Sequence, residues 1–267
     1  MSLLFKKPVT SSLRHVCLIK KTDLSKSKIL KTQSIFLKNN AGRNNQGRLT
    51  SYHKGGGHKK RYRLVLFDRH DLSGVVESIE YDPYRSANIA RIFSESLNKH
   101  FYILSPQGLK RGHFINSQVK KSEINFKVGN LFNLDSLPLG VFVHNILFPQ
   151  KKTGFARSAG CSAQLISKDH QYCRVRLSSG QHRLFNLKTT ATLGLISNPL
   201  KRQVVFGKAG RSRWLNKRPI VRGVAMNPID HPHGGKTSGG RPSVTPWGKL
   251  TKGQPTRKNK FNKLFIK

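Results

Sequence analysis

The sequence predicts a mainly β protein built on small, short-stranded barrels, with a basic arm at either end. Three observations carry this. Short runs rich in branched and aromatic residues recur through the middle of the chain, usually with Gly, Pro, Asn, Asp or Ser between them. No sustained helical period accompanies them, and many short strands at close spacing favour barrels over a layered α/β sheet. Charge is segregated: residues 1–60 hold 14 basic and 1 acidic residue, 61–195 hold 19 and 9, and 196–267 hold 17 and 1. The middle therefore has the charge balance of a folded unit, and the ends have that of nucleic-acid-binding arms.

Taken in order, the first 40 residues are rich in Lys, Ser and Leu with weak patterning, and no element is assigned to them. Strands are expected at Leu64–Phe67, Val75–Tyr81, Ala87–Phe93, Phe101–Leu104, Val141–Phe148, Tyr172–Leu177 and Arg183–Leu187, in two groups separated near Asn116 to Ser122. Within Arg174-Val175-Arg176-Leu177 polar and apolar residues alternate, as on a sheet with one buried face, and Ser178-Ser179-Gly180-Gln181 supplies the following turn. The last 72 residues carry nine glycines and seven prolines but no sustained apolar pattern. Such a segment buries too little surface to offset its chain entropy and needs a partner to order it. The expected division is a basic extension over 1–41, domains over 42–117 and 118–196, and a Gly/Pro-rich arm over 197–267.

The net charge of +39 on 267 residues argues against an ordinary metabolic enzyme, because that self-repulsion destabilises a compact state unless a polyanion neutralises it. Cys17, Cys161 and Cys173 have neither the number nor the spacing of a disulfide framework or zinc ribbon. No metal site or cofactor is expected. The longest charge-free apolar stretch, Ser136 to Gln150, is interrupted by Pro138, Gly140 and Pro149, so no membrane span is expected either. The start, with Lys6 and Lys7 after a short apolar run, lacks the pattern of a secretory signal, and the first 40 residues lack the Arg-rich amphipathic pattern of an organelle presequence.

Two stretches point to phosphate chemistry. Gly42-Arg-Asn-Asn-Gln-Gly-Arg48 and Tyr52-His-Lys-Gly-Gly-Gly-His-Lys-Lys-Arg61 interleave glycine, which lets backbone N–H groups approach an anion, with charge-assisted donors. The other reading of such a stretch is a solvated loop. Gly235-Lys236-Thr237 imitates the end of a nucleotide-binding P-loop, but Asp230 stands where its first glycine belongs, and nucleotide hydrolysis is not expected. Asp230-His231-Pro232-His233 is the most enzyme-like cluster, since a carboxylate beside imidazoles can orient a base or hold a metal. It lacks a third ligand and a nucleophile, and the prolines around Asn227 to His233 suit a stiff finger pressed into folded RNA. Trp214 and Trp247 sit among Arg and Lys, where indole rings can stack on unpaired bases. Two other classes compete with an RNA scaffold: a hydrolase or transferase using Asp230 and His231, and a DNA-compacting basic protein.

These segments resemble one family. The quoted stretches, with Ile79-Glu-Tyr-Asp-Pro83, Arg85-Ser-Ala87, His144-Asn-Ile146, Arg157-Ser-Ala-Gly160, Gly207-Lys-Ala-Gly-Arg211, Val221-Arg-Gly-Val224, Ala225-Met-Asn-Pro228 and Pro246-Trp-Gly-Lys249, are similar to the bacterial-type L2 family of large-ribosomal-subunit proteins, in register from about residue 42 onward. The resemblance implies an OB-like barrel followed by an SH3-like barrel, with arms entering the rRNA near the peptidyl transferase region. It implies roles in rRNA folding and subunit association, and no catalysis by the chain itself. Its implied partners are large-subunit rRNA, neighbouring ribosomal proteins and the small subunit. The expected rRNA-binding residues are Arg43, Asn44, Arg48, His53, Lys54, Gly55, Gly56, His58, Lys59, Arg61, Arg85 and Arg157 in the first part. Further on they are Lys208, Arg211, Arg213, Trp214, Arg218, Arg222, Asn227, His231, His233, Lys236, Arg241, Trp247, Lys249 and Lys252.

The sequence departs from the family pattern after His233, where the usual three glycines, glutamate and glycine shorten to Gly234-Gly235 and then Lys236. Tyr84 replaces a common Asn, and Phe148 to Gly154 has fewer glycines than usual. The chain begins where bacterial relatives begin, and its richness in Lys, Asn, Ile and Phe leans toward a mitochondrial ribosome.

Overall fold

The computed structural model describes residues 2–69, 72–117, 126–148, 154–235, 242–253 and 265–266. Two compact units divide the chain. The first comprises Met1–Lys38, Lys59–Lys208 and Leu264–Lys267, and the second Asn39–His58 and Ala209–Lys263.

The first unit holds the sheets. β1 (Leu3–Phe5) pairs antiparallel with β2 (Cys17–Ile19), and β3 (Ser34–Phe36) with β4 (Arg61–Arg63). β5 (Ser73–Glu80), β6 (Ile89–Ser94), β7 (Lys99–Leu104) and β8 (Phe114–Asn116) form a four-stranded antiparallel sheet in the order β7-β6-β5-β8. Its core is Val76, Ala90, Ile92, Ile103, Leu109 and Ile115. Asn98 closes the β6–β7 hairpin at φ 47°, a left-handed conformation that Asn tolerates better than most residues.

The N-terminal segment, left without structure by its pattern, is pinned by a polar knot. The buried Glu80 carboxylate accepts from Tyr102 Oη at 3.0 Å and pairs with Arg91 at 2.5 Å. Tyr102 Oη in turn accepts the Leu30 amide, and Arg91 donates to the Lys28 carbonyl. Residues 25–30 gain order from long-range hydrogen bonds that no local periodicity records.

β9 (Leu131–Asn133), β10 (Phe142–Leu147), β11 (Gly154–Phe155), β12 (Ala163–Lys168), β13 (Tyr172–Arg176), β14 (His182–Asn186), β15 (Thr190–Leu193) and β16 (Phe265–Ile266) form the second large sheet. Its order is β16-β14-β13-β12-β10-β15-β9, with β11 also on β10. Cys173 and Val175 face the core while Tyr172 and Arg176 are exposed, matching the alternation read from the sequence. The core gathers Phe132, Leu134, Leu137, Val143, Ile146, Leu165, Val175 and Phe185. Arg183 lies over the rings of Phe148, Phe155 and Phe185, the closest centroid 4.5 Å away.

The mainly β reading holds, but the barrels do not form. Closure requires the two edge strands of a sheet to pair with each other. The four-stranded sheet instead ends on β7 and β8, and the larger one on β9 and β16. Leu64–Phe67, expected to be a strand, makes only an isolated parallel bridge between Val65 and Tyr102, and the neighbouring β4 turns to β3 instead. Both large sheets are therefore open, and neither an OB-like nor an SH3-like barrel is present among the described residues. The expected boundary near Asn116 to Ser122 lies largely outside those residues. No described helix is long and apolar enough to cross a membrane.

Candidate nucleic-acid interface

Among its described residues the second unit is built almost without apolar burial, contributing none of the buried hydrophobic side chains. Hydrogen bonds hold its described residues together. α1 (Ala209–Trp214) ends in a turn where Asn216 adopts φ 68°. From there the chain runs antiparallel to the second Gly-rich stretch, with a bridge between Lys54 and Lys217. Gly55 N donates to Asn216 O at 2.9 Å, His58 N to Trp214 O at 3.1 Å and Arg218 N to His53 O at 2.9 Å. His53 Nδ1 donates to the Pro219 carbonyl at 3.2 Å.

Glycine is demanded at Gly57 by both conformation and space. Its φ is +58°, and a Cβ there would lie 1.5 Å from Asn216 Oδ1 and 2.8 Å from Trp214 O. Gly55 instead admits the aliphatic part of Arg218. Glycine in this segment therefore seats one basic stretch against another, a role beyond the phosphate approach expected of it. Asn216 was not singled out from the sequence. Its signal was an Asn just past a Trp-Leu pair, where a left-handed residue ends a helix.

The described part of this unit carries ten Lys and Arg against one carboxylate, Asp230. Arg43, Arg48, Lys54, Arg213, Arg218, Arg222, Lys249 and Lys252 are exposed, as are His53 and His58, while Arg211 and Asn44 are half-buried. Gly56 is exposed. Trp214 is 57% and Trp247 83% exposed, an unusual position for rings that would otherwise serve a core. Lys236 and Arg241 lie outside the described residues.

The Asn227 to Gly235 turn is compact. The amides of Asp230 and His231 donate to the carbonyl of the exposed Asn227, and Gly234 N donates to His231 O. His231 is buried with its ring against Gly223, where a Cβ would come within 2.6 Å of it. His231 Nδ1 accepts the His233 amide at 3.0 Å, which leaves the ring N–H on Nε2. His233 Nε2 lies 2.9 Å from Pro242 O and 3.1 Å from Val244 N, a donor and an acceptor role that one nitrogen fills only in turn. Backbone groups thus engage His231 Nδ1 and His233 Nε2. Among the described residues, no three His, Cys, Asp or Glu side chains gather as metal ligands.

The remaining expected contacts lie in the first unit. Lys59 is exposed, its ammonium 5.0 Å from the Phe36 ring; Arg61 is exposed on β4, and Lys208 is exposed. Arg85 and Arg157 are engaged within the protein. Arg85 pairs with Asp82 at 2.5 Å and donates to Tyr62 Oη at 2.9 Å. Arg157 stacks 3.9 Å over Phe67, and burial followed by the charge of Arg85 lowers its pKa. A buried cation that sequence reading missed is Arg69, whose guanidinium donates to Gly129 O and Thr192 Oγ1 and whose pKa burial lowers to about 10. Beside Asp68 it looks like part of an exposed ion pair, so no local signal marked it.

Comparison with known proteins adds independent findings. Residues 33–117 match the family model described as Ribosomal Proteins L2, RNA binding N-terminal domain, and residues 127–248 match Ribosomal Proteins L2, C-terminal domain. The chain is 50% identical to the large ribosomal subunit protein uL2m of Reclinomonas americana, over 97% of this chain and 95% of that protein. It is 50% identical to uL2 of Rickettsia massiliae and 49% to uL2 of Rickettsia prowazekii, each over 97% of this chain and 96% of the relative.

Proposed function

The chain belongs to the ribosomal protein L2 family, and from that premise we propose that its glycine-rich basic segments hold rRNA phosphates. It is a constituent of the large ribosomal subunit that binds rRNA and takes part in translation, and it is not an enzyme. One observation carries the assignment of contacts: the second unit has defined turns, ten cations to one carboxylate, and no buried apolar side chain among its described residues. Such a surface is stabilised by a polyanion. Arg43, Arg48, Lys54, Arg211, Arg213, Arg218 and Arg222 are assigned to phosphates, with Lys59, Arg61 and Lys208 of the first unit. Arg85 and Arg157 act on the RNA through the Phe67 and Tyr62 surfaces they stack on. The Asn227 to Gly235 turn supports the RNA peptidyl transferase region as a rigid finger, and the protein contributes to subunit association alongside neighbouring ribosomal proteins.

The setting proposed is a mitochondrial ribosome, supported by the uL2m relative and by the Lys, Asn, Ile and Phe content. A bacterial cell is the second reading, favoured by the Rickettsia proteins at 50% and 49% identity. Sequencing the rRNA that co-purifies with the chain decides between them.

Salt tests the contact assignment. Neutralising ~6–10 phosphates makes affinity for a duplex-like rRNA fragment fall by ~10³–10⁵ between 50 and 200 mM salt. A flat salt response would refute it. Duplex DNA competing as well as folded rRNA would instead support a DNA-compacting protein.

A further inference from the structure

The second unit contains the same hairpin twice. Gly42-Arg-Asn-Asn-Gln-Gly-Arg-Leu-Thr50 and Ser243-Val-Thr-Pro-Trp-Gly-Lys-Leu-Thr251 correspond position by position, 201 residues apart, and share Gly, a cation, Leu and Thr at their ends. Their hydrogen bonds also correspond. Gly47 N donates to Asn44 O at 3.1 Å, and Gly248 N to Thr245 O at 2.9 Å. Asn44 N donates to Arg48 O at 2.9 Å, and Thr245 N to Lys249 O at 2.8 Å. The cation's own amide is capped by a side chain in each copy: Arg48 N by Asn44 Oδ1 at 2.9 Å and Lys249 N by Thr245 Oγ1 at 3.1 Å. Bridges join Arg43 to Leu49 and Val244 to Leu250, and the Thr50 and Thr251 amides and hydroxyls all reach the first residue's carbonyl. Gly47 and Gly248 sit at φ +80° and +77°.

Neither hairpin buries an apolar side chain, and the space beside each turn glycine is open to 4 Å and beyond. Each is a self-braced tip that presents a two-residue crown, Asn45-Gln46 or Pro246-Trp247, followed by a bare glycine and a cation. All of these residues are exposed. A tip of this kind fits one unpaired nucleotide step: the cation meets the phosphate, the glycine lets the sugar approach, and the crown meets the base. The crowns differ in what they can read. The Gln46 amide has donors and an acceptor for a base edge, whereas Trp247 offers a stacking face that accepts any base.

We infer that the two hairpins are one recognition device used twice on unpaired rRNA nucleotides, base-selective at Gln46 and sequence-tolerant at Trp247. This rests on the rRNA-binding reading above. The experiment reconstitutes the full chain into large subunits and maps base reactivity with dimethyl sulfate. Trp247→Ala is expected to unmask one or two unpaired bases and weaken rRNA affinity about 5- to 150-fold; Trp247→Phe restores most of both. Gln46→Ala unmasks a different set. Arg48→Gln and Lys249→Gln each reduce the salt slope by about 0.7, as for one single-strand phosphate. Gln46 contributes only its backbone amide to the bracing, to Asn44 Oδ1 at 3.0 Å, and both crown side chains are exposed, so side-chain variants keep the hairpins. Unchanged base protection in Trp247→Ala and Gln46→Ala overturns the inference, as does loss only of a cross-link to a neighbouring protein. Failure of the unaltered chain to bind rRNA sinks the underlying reading instead, and the two failures are distinguished by that control.

Discussion

His144 gives a pH dependence whose size follows from its position on β10. Its ring is fully buried; Nδ1 donates to the Gly194 carbonyl at 2.8 Å, and Nε2 has no hydrogen-bond partner among the described residues. Burial, helped by the charge of Arg69 and opposed by the Gly194 bond, lowers its pKa from 6.5 to about 4. The unfolded chain then binds a proton that the folded chain refuses. The stability this group contributes is complete above about pH 6.5 and is lost as pH falls from there toward 4. At about 1.36 kcal/mol per pH unit, the gap is worth about 3 kcal/mol. That is a large share of the roughly 5–15 kcal/mol typical of a folded domain. Urea unfolding of the full chain at steps between pH 7 and 4, followed by exchange of β10 and β15 amides, measures it. His144→Gln keeps a donor for Gly194 and cannot titrate, so the other histidines and the carboxylates cancel in the difference between the two proteins. The expected difference narrows by about 3 kcal/mol between pH 6.5 and 4. Parallel pH profiles, or the His144 imidazole itself titrating near 6.5 in the folded protein, would refute the reasoning.

Other expected outcomes follow from glycine geometry and thiol burial. Gly47→Ala adds only the strain of a left-handed Ala in open space, about 1–2 kcal/mol, whereas Gly57→Ala also drives a methyl into Asn216. Exchange of the Gly55 and His58 amides should accelerate only in the Gly57 variant. Gly223→Ala should displace the His231 ring and reproduce His231→Ala: weaker rRNA affinity in filter binding, with single-turnover peptide transfer near normal in assembled ribosomes. Abolished transfer after normal assembly would contradict the scaffold role. Burial raises the Cys173 thiol to about 11, so iodoacetamide at pH 8 should modify the half-buried Cys161 first by mass spectrometry. Equal rates would show that Cys173 is not shielded.

What the sequence disclosed was local. Strand runs such as Val75–Tyr81 and Tyr172–Leu177 announce themselves because one face is buried and the period is two. β12 and β15 were not read: Ala163–Lys168 is diluted by Gln and Ser, and Thr190–Leu193 is buried on every residue, so neither alternates clearly. Sheet closure is a property of edge pairing between distant segments, and Leu64–Phe67 has the composition of a strand without the ladder that would close one. The Glu80, Arg91 and Tyr102 knot that orders residues 25–30 was equally hidden, because its partners are separated by more than fifty residues.

The site divides along the same physical line. Charge and glycine content identified both basic stretches, since electrostatics and backbone freedom are compositional. That Gly55 and His58 would pair with Asn216 and Trp214 was not legible, because hydrogen bonds between two polar loops leave no hydrophobic pattern. This has an energetic consequence. A hydrogen bond contributes about 0.5–1.5 kcal/mol net, while fixing one residue's backbone costs about 1–2 kcal/mol. A unit whose described residues bury no apolar side chain cannot close that gap with their internal bonds alone. The braced turns lower the entropy still to be lost, and under the proposed contacts neutralisation of their cations by rRNA phosphate would supply the rest. On that proposal the sparse apolar content of these segments and their excess charge are two sides of one arrangement, in which the protein contributes the shape and the RNA the stability.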